Sequence, residues 1–395
     1  MAATPRPMPL WRRVLSKRPA KIVLAVLLTL FLFEVVARVA TAITLGPNVL
    51  LYGTNWARGT SEHQTWDQAA EIQDVAVVEH GAGAASYTKY TPSWTKKMPL
   101  VGGEEGTARI NNHGFRGDDF TLEKPPGTLR VVVLGASSTF GYFDRDEETY
   151  PAYLEDELRE ALAEQPLGGF TSVEVLNFGI PHLESDQIRA LFEAEALGVD
   201  PDVVTFYEGV NDTRRLERQA SERAFNWVAS KLLLVRWVQL TLWDRLESFD
   251  RSDLVHHLED KAKFFVGNIE AMAEACSERD ILFVAMSQQA TSKTLTRDQL
   301  KLTSYAEEET IIRARLDETG RLSGLELVFL IHCELNRGLK AWAEAYHQPF
   351  VDVVALFDEL KQRHHLVSWV HMSPHGNRLI AEALADEILR NLRAD

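Results

Sequence analysis

Ser137 lies in Arg130-Val-Val-Val-Leu-Gly-Ala-Ser-Ser-Thr-Phe-Gly141. An apolar, β-rich run ends at Gly135, and a serine follows two residues later. A parallel α/β sheet exposes a nucleophile at such a place, just past the carboxyl end of a strand and before a helix. A serine needs a base to become nucleophilic, and three later segments offer partners. Asn177-Phe-Gly-Ile-Pro-His182 presents the backbone N–H of Gly179. Glu208-Gly-Val-Asn-Asp-Thr213 presents the side-chain amide of Asn211. Together with the N–H of Ser137, these are suitable oxyanion donors. His371-Met-Ser-Pro-His-Gly-Asn377 places His371 just before the last helix. An imidazole that titrates near neutrality is a general base.

The elements that must position these residues alternate. Arg130–Leu134 reads as a strand, and Pro151–Ala163 as a helix with Leu154, Leu158, Ala161 and Leu162 on one face. Val173–Leu176 is the next strand. Ser185 caps a helix carrying Ile188, Leu191, Phe192 and Ala196 and ending at Gly198. Strands are expected over Val203–Tyr207, Ile281–Met286 and Phe350–Val354. Between and after them, helical stripes run through Ile269, Met272, Ala273 and Cys276, over Leu325–Tyr346, and through Leu379, Ile380, Ala383, Leu384 and Ile388. Such alternation predicts one parallel sheet with helices on both faces. Two segments interrupt it. Ala224–Leu246, with Trp227, Trp237 and Trp243, reads as an amphipathic lid, a bilayer-surface helix or a helix packed on the sheet. The polar stretch 287–324 reads as an exposed insertion.

The chain has 395 residues and a net charge of −15. Six Lys/Arg and no acid fall within residues 1–21, leaving 36 basic against 57 acidic residues in the rest. That balance argues against a nucleic-acid binder, which needs a basic face. After Lys21, the apolar run Ile22–Phe33 continues past Glu34 and Arg38 to Leu45. Counted through Leu45, it is long enough for a single transmembrane helix, with the basic flank cytoplasmic and the remainder periplasmic or extracellular. The rival reading is a signal peptide cleaved near Ala40-Thr-Ala42. The expected organisation is a cytoplasmic basic tail over 1–21, an inner-membrane anchor over 22–45, a connecting region over 46–127 and the α/β domain over 128–395. Within the connecting region, Asn111-Asn-His-Gly-Phe-Arg-Gly-Asp118 reads as an ordered turn. Cys276 and Cys333 provide no disulfide framework. His371 and His375 are four apart, but Pro374 between them and the lack of an evident third ligand argue against a metal pair.

In order and spacing, Ser137, Gly179, Asn211 and His371 resemble the four blocks of the SGNH (GDSL) hydrolase family over about residues 128–393. The resemblance implies a flavodoxin-like three-layer α/β/α sandwich with about five parallel strands. It also implies ester chemistry without metal or cofactor, the four residues serving as nucleophile, oxyanion donors and base. Members include lipases, carbohydrate acetylesterases and thioesterases, and relatives in alginate-type systems transfer acetyl groups to polysaccharide. In this chain Ala136 stands where the first block has Asp, and His182 where the second commonly has glycine. Ser368, in Ser368-Trp-Val-His371, stands where the last block has the triad acid. Ser368 or a backbone carbonyl then orients His371, Glu208 or Asp352 reaches it, or the site is inactive. The reading is a membrane-anchored serine esterase acting on an acylated envelope glycan or lipid. The rivals are an O-acyltransferase using the same site and a non-catalytic glycan-binding or scaffold protein on the same fold.

Overall fold

The computed structural model describes residues 18–45, 75–78, 85–101, 104–214, 251–292 and 294–393. The chain divides into two compact units, Met1–Gln68 with Arg218–Leu246, and Ala69–Glu217 with Glu247–Asp395. In the first unit the described element is one helix, α1 (Arg18–Leu45). The transmembrane anchor expected over 22–45 is not found: among the described residues no helix is long and apolar enough to cross a membrane. The apolar run breaks at Glu34, which pairs with Arg38 one turn later at 2.7 Å. The segment Ala224–Leu246 lies outside the described residues.

The second unit begins well before Thr128. β1 (Val75–Val78) and β2 (Tyr87–Tyr90) pair antiparallel, as do β3 (Trp94–Pro99) and β4 (Glu105–Ile110). The main sheet follows. Its strands are β5 (Thr128–Gly135), β6 (Ser172–Gly179), β7 (Val203–Tyr207), β8 (Leu282–Met286) and β9 (Phe350–Val351). They lie in the order β6-β5-β7-β8-β9, and every pairing is parallel. The second strand therefore lies outside the first and the third on its other side, the doubly wound flavodoxin-like order.

β5 shows why helices cover both faces. Leu129, Val131 and Val133 enter one apolar cluster, while Val132 and Leu134 enter the other, as the two-residue period of a strand requires. On the first face pack α3 (Tyr150–Glu164), through Leu154 and Leu158, and the C-terminal helix α9 (Pro374–Leu392), through Ile380 and Leu384. On the other face pack α4 (Ser185–Leu191), α5 (Arg251–Ser277) and α7 (Gly324–Tyr346), through Ile188, Ile269 and Leu330. The short helix α2 (Ser137–Phe140) follows β5 directly.

Two expectations are corrected. The last strand stops at Val351 because Asp352 caps α8 (Val353–Glu359), its carboxylate accepting the N–H of Ala355 at 3.0 Å. The stretch 287–324 is not simply exposed. Ser287 to Ser292 are buried, and α6 (Tyr305–Thr319) places Glu308 beside the equally buried Arg363 at 2.6 Å. A buried carboxylate and guanidinium satisfy each other where neither would survive alone.

Candidate active site

Register brings the predicted residues to one end of the sheet. Gly135 pairs with Gly179 on one side and with Tyr207 on the other. The segments carrying Ser137, His182 and Asn211 therefore leave three adjacent strands at the same level. Such carboxyl-end crevices, where strand order reverses, are where open α/β sheets bind ligands.

Ser137 is the first residue of α2, and its carbonyl accepts the N–H groups of Gly141 and Tyr142 at 3.1 and 3.0 Å. Arg116, from the turn after β4, fixes the other end of this helix. Its guanidinium donates to the carbonyls of Phe140, Gly141 and Asp144 and pairs with Asp146. Sequence reading found the turn ordered but gave Arg116 no role. The signal was a single arginine between two glycines, with its partners 24 to 30 residues away.

Gly179 stands against α2. A Cβ there would lie 2.3 Å from the backbone nitrogen of Phe140, so only glycine permits the approach. Its N–H, however, is engaged: it donates to Asn177 Oδ1 at 2.9 Å. The expected oxyanion donor is thus committed within the protein. Asn177 Nδ2 in turn donates to the Thr139 carbonyl. Three residues on, His182 adopts φ = 72°, a conformation that favours glycine. Asn211 Nδ2 donates to the Leu183 carbonyl at 3.0 Å, which ties the loops after β6 and β7 together and uses one of the two amide protons. The backbone N–H of Asn211 donates to Glu208 at 2.8 Å.

His371 lies in a tight loop in which the Val367 N–H donates to its carbonyl at 2.8 Å. The loop reaches the nucleophile segment, because Ser138 Oγ donates to the Val370 carbonyl at 3.4 Å. The imidazole is flanked by the rings of Tyr142 and Phe143, with centroids at 6.1 and 5.3 Å. Phe143 is held at φ = 79°, a strained conformation for a bulky residue, and its carbonyl accepts the N–H of Val101. Ser137 and His371 are each 1% exposed, so the site is closed as it stands.

Of the candidate partners for His371, Ser368 touches it: its Oγ lies 2.6 Å from Nδ1. Glu208 holds the Asn211 amide, and Asp352 binds Ser287, Lys340 and the start of α8. The carboxylate that sequence reading missed is Asp144, which accepts from Asn377 Nδ2 at 2.9 Å. Burial pushes its pKa up to about 8, against the pull of the Asn377 hydrogen bond and Arg116. Among the described residues no group of His, Cys, Asp and Glu could hold a metal ion. His375 instead packs its ring, tilted, against that of His365 at a centroid distance of 4.6 Å.

No curated protein matches this chain. Among solved structures, it is similar to a lipase/acylhydrolase from Enterococcus faecalis at 17% identity, over 66% of this chain and 96% of that one, with a TM-score of 0.39. A GDSL-like lipase from Bacteroides thetaiotaomicron shares 15% identity over 67% of this chain and 89% of its own, with a TM-score of 0.37. An acetylxylan esterase from Geobacillus stearothermophilus shares 16% identity over 66% and 93%, also with a TM-score of 0.37. The model of the GDSL-like lipase/acylhydrolase family matches residues 133–379, a span that begins within β5 and ends in α9 and so takes in Ser137, Asn211 and His371. With more than half of its length matched, the chain belongs to the GDSL-like lipase/acylhydrolase family.

Proposed function

We propose that the protein is a serine esterase that cleaves an O-acyl ester through an acyl-serine intermediate, with Ser137 as nucleophile and His371 as base. The observation that carries this reading is the join between the two segments. The His371 loop is bonded to the residue after Ser137, through Ser138 Oγ and the Val370 carbonyl. Ser137 Oγ attacks the ester carbonyl carbon, the carbonyl π pair moves onto oxygen, and the hydroxyl proton passes to His371 Nε2. The Ser137 N–H and the second Nδ2 proton of Asn211 stabilise that oxyanion. Gly179 is left out because Asn177 holds its amide. Collapse expels the alcohol, which takes the proton back from His371. Water then repeats the sequence and releases the acid.

The proposed substrate is an acylated glycan or lipid of the cell envelope, with the catalytic domain outside the cytoplasmic membrane. Exposed Ile22, Leu27, Phe31 and Val36 on α1 support lipid contact by that helix.

An active-site-directed fluorophosphonate tests the chemistry. Labelling should disappear in Ser137→Ala, and turnover should disappear in His371→Ala with the fold intact. Equal labelling of parent and Ser137→Ala would sink the reading. Free acid as product supports hydrolysis; an acylated glycan acceptor in its place would reassign the protein as a transferase. A C-terminal reporter fusion active in the cytoplasm would remove the proposed location.

A further inference from the structure

We propose that Ser368 donates its hydroxyl proton to His371 and so holds the neutral imidazole as the Nε2–H tautomer, the reverse of what a general base toward Ser137 requires. The geometry around one oxygen carries the inference. A serine hydroxyl has one proton and two acceptor lone pairs. The backbone N–H of His371 donates to Ser368 Oγ at 3.0 Å, and that of Val370 donates to it at 3.3 Å. Backbone N–H groups act only as donors, so these two bonds occupy both lone pairs. The third contact of Oγ is His371 Nδ1 at 2.6 Å. What remains to make it is the hydroxyl proton, and a nitrogen that accepts a proton does not itself carry one. In a neutral imidazole the ring proton is then on Nε2.

A carboxylate at position 368 would act oppositely. It is acceptor-only, and it would draw the ring proton onto Nδ1 and leave the Nε2 lone pair open. The exchange of the triad acid for serine is therefore a reversal of hydrogen-bond polarity as well as a loss of charge. Both residues are buried, Ser368 at 4% and His371 at 1% exposure, so bulk water does not compete for the Oγ–Nδ1 contact.

The consequence for catalysis rests on the esterase reading above. Before Ser137 can give up its proton, His371 must pass its Nε2 proton to a water molecule and take one from water on Nδ1, with no net change in ring protonation. The Ser368 hydroxyl must turn, and its oxygen must accept from Nδ1–H, releasing the longer of the two backbone bonds, that from Val370. Only then can Nε2 accept the Ser137 proton as the Oγ–carbon bond forms. Ser368 is thus a positioning residue that makes the resting site slow.

The test is a two-bond ¹H–¹⁵N correlation spectrum of the full chain labelled in histidine, recorded at about pH 9, where an ordinary imidazole is neutral. The His371 signals are assigned by their loss in His371→Gln. The expected result is a protonated Nε2 and an unprotonated Nδ1. A protonated Nδ1 in the parent protein overturns the proposal, whether or not any variant folds. In Ser368→Asp the tautomer should reverse, and kcat for an activated ester should rise at least tenfold with KM within twofold. Retention of Nε2–H in that variant would also overturn it, since the side chain at 368 would not be setting the tautomer. Fluorophosphonate labelling separates the two readings. An Nε2–H signal without labelling of Ser137 removes the esterase and leaves the proton assignment. Labelling with an Nδ1–H signal does the reverse.

Discussion

Asn177 and Gly179 are joined within one strand end: Asn177 Oδ1 accepts the Gly179 N–H at 2.9 Å while its Nδ2 donates to the Thr139 carbonyl at 2.9 Å. One amide side chain therefore ties β6 to the helix that carries Ser137. The missing Cβ at 179 is what lets the two backbones meet, since such an atom would lie 2.3 Å from Phe140 N and 2.7 Å from Thr139 C. Those are backbone atoms, which cannot swing aside. Gly179→Ala should cost about 3 kcal/mol or more in urea unfolding. An unchanged midpoint would mean that β6 and α2 can separate freely.

Asn211 spends one amide proton on the Leu183 carbonyl, 3.0 Å away. Loss of that bond alone is worth about 1 kcal/mol of stability. If the other proton serves the oxyanion, Asn211→Ala should lower kcat by about 10²- to 10³-fold with little change in KM. A kcat loss below tenfold would confine Asn211 to holding the two loops together.

Phe143 packs edge-on to the His371 ring at a centroid distance of 5.3 Å with φ = 79°. The strain is relieved in Phe143→Gly, which also removes the ring. Fluorophosphonate labelling of Ser137 should then accelerate by about tenfold, because the ring that flanks the buried His371 is gone. Labelling at the parent rate would show that the barrier to entry lies elsewhere.

Two buried carboxyls contribute to the pH response. Burial raises Asp144 to about 8 and Asp212 to about 7. In the unfolded chain both ionise near pH 4. At these two groups the folded protein binds more protons than the unfolded one between those limits, so their contribution to stability falls as pH rises from about 4 through about 8; His332 and His365, lowered by burial to about 3 and about 4, act the opposite way below pH 6.5. Asp144→Asn keeps a carbonyl acceptor for Asn377 and removes one titration. The melting temperature of the parent should drop between pH 5 and pH 8 by about 5 °C more than that of the variant. Parallel curves would show that Asp144 does not titrate in this window.

The strand pattern of the sheet was legible because burial on both faces writes a continuous apolar run such as Arg130–Leu134, with Gly135 marking the exit. Ser137, Asn211 and His371 were legible as residues that follow such exits or precede a helix. The state of the Gly179 amide was not legible. It depends on a side chain two residues away turning back on its own strand, which leaves no periodic trace. Neither was the clamp of Arg116 on α2, whose partners are distant in sequence. The polar stretch after β8 misled for a related reason. Ser287, Gln288, Gln289, Thr291 and Ser292 look solvent-seeking, yet each is buried among hydrogen-bond partners supplied by other elements. Composition records polarity and does not record whether that polarity is satisfied inside.

Arg363 and Glu308 show what that satisfaction is worth. Their side chains are 1% and 2% exposed and meet at 2.6 Å. Arg363 also donates to the carbonyls of Ala290 and Thr303, while Glu308 accepts from Ser292 N and Thr291 Oγ1. Thr291 N in turn donates to the Trp369 carbonyl at 2.9 Å, inside the loop that carries His371. Arg363→Met leaves a carboxylate buried without its charge partner and should cost about 3–5 kcal/mol. Adding Glu308→Leu removes the stranded charge, so the double variant should be more stable than Arg363→Met alone. The double-mutant cycle should give a coupling of at least about 1 kcal/mol. Because neutralising both charges leaves Thr291 N bonded to Trp369, the His371 loop should hold its place and ester turnover in the double variant should stay within about tenfold of the parent. Additive stability losses would mean that the two charges are each satisfied by backbone groups and that the ion pair is incidental.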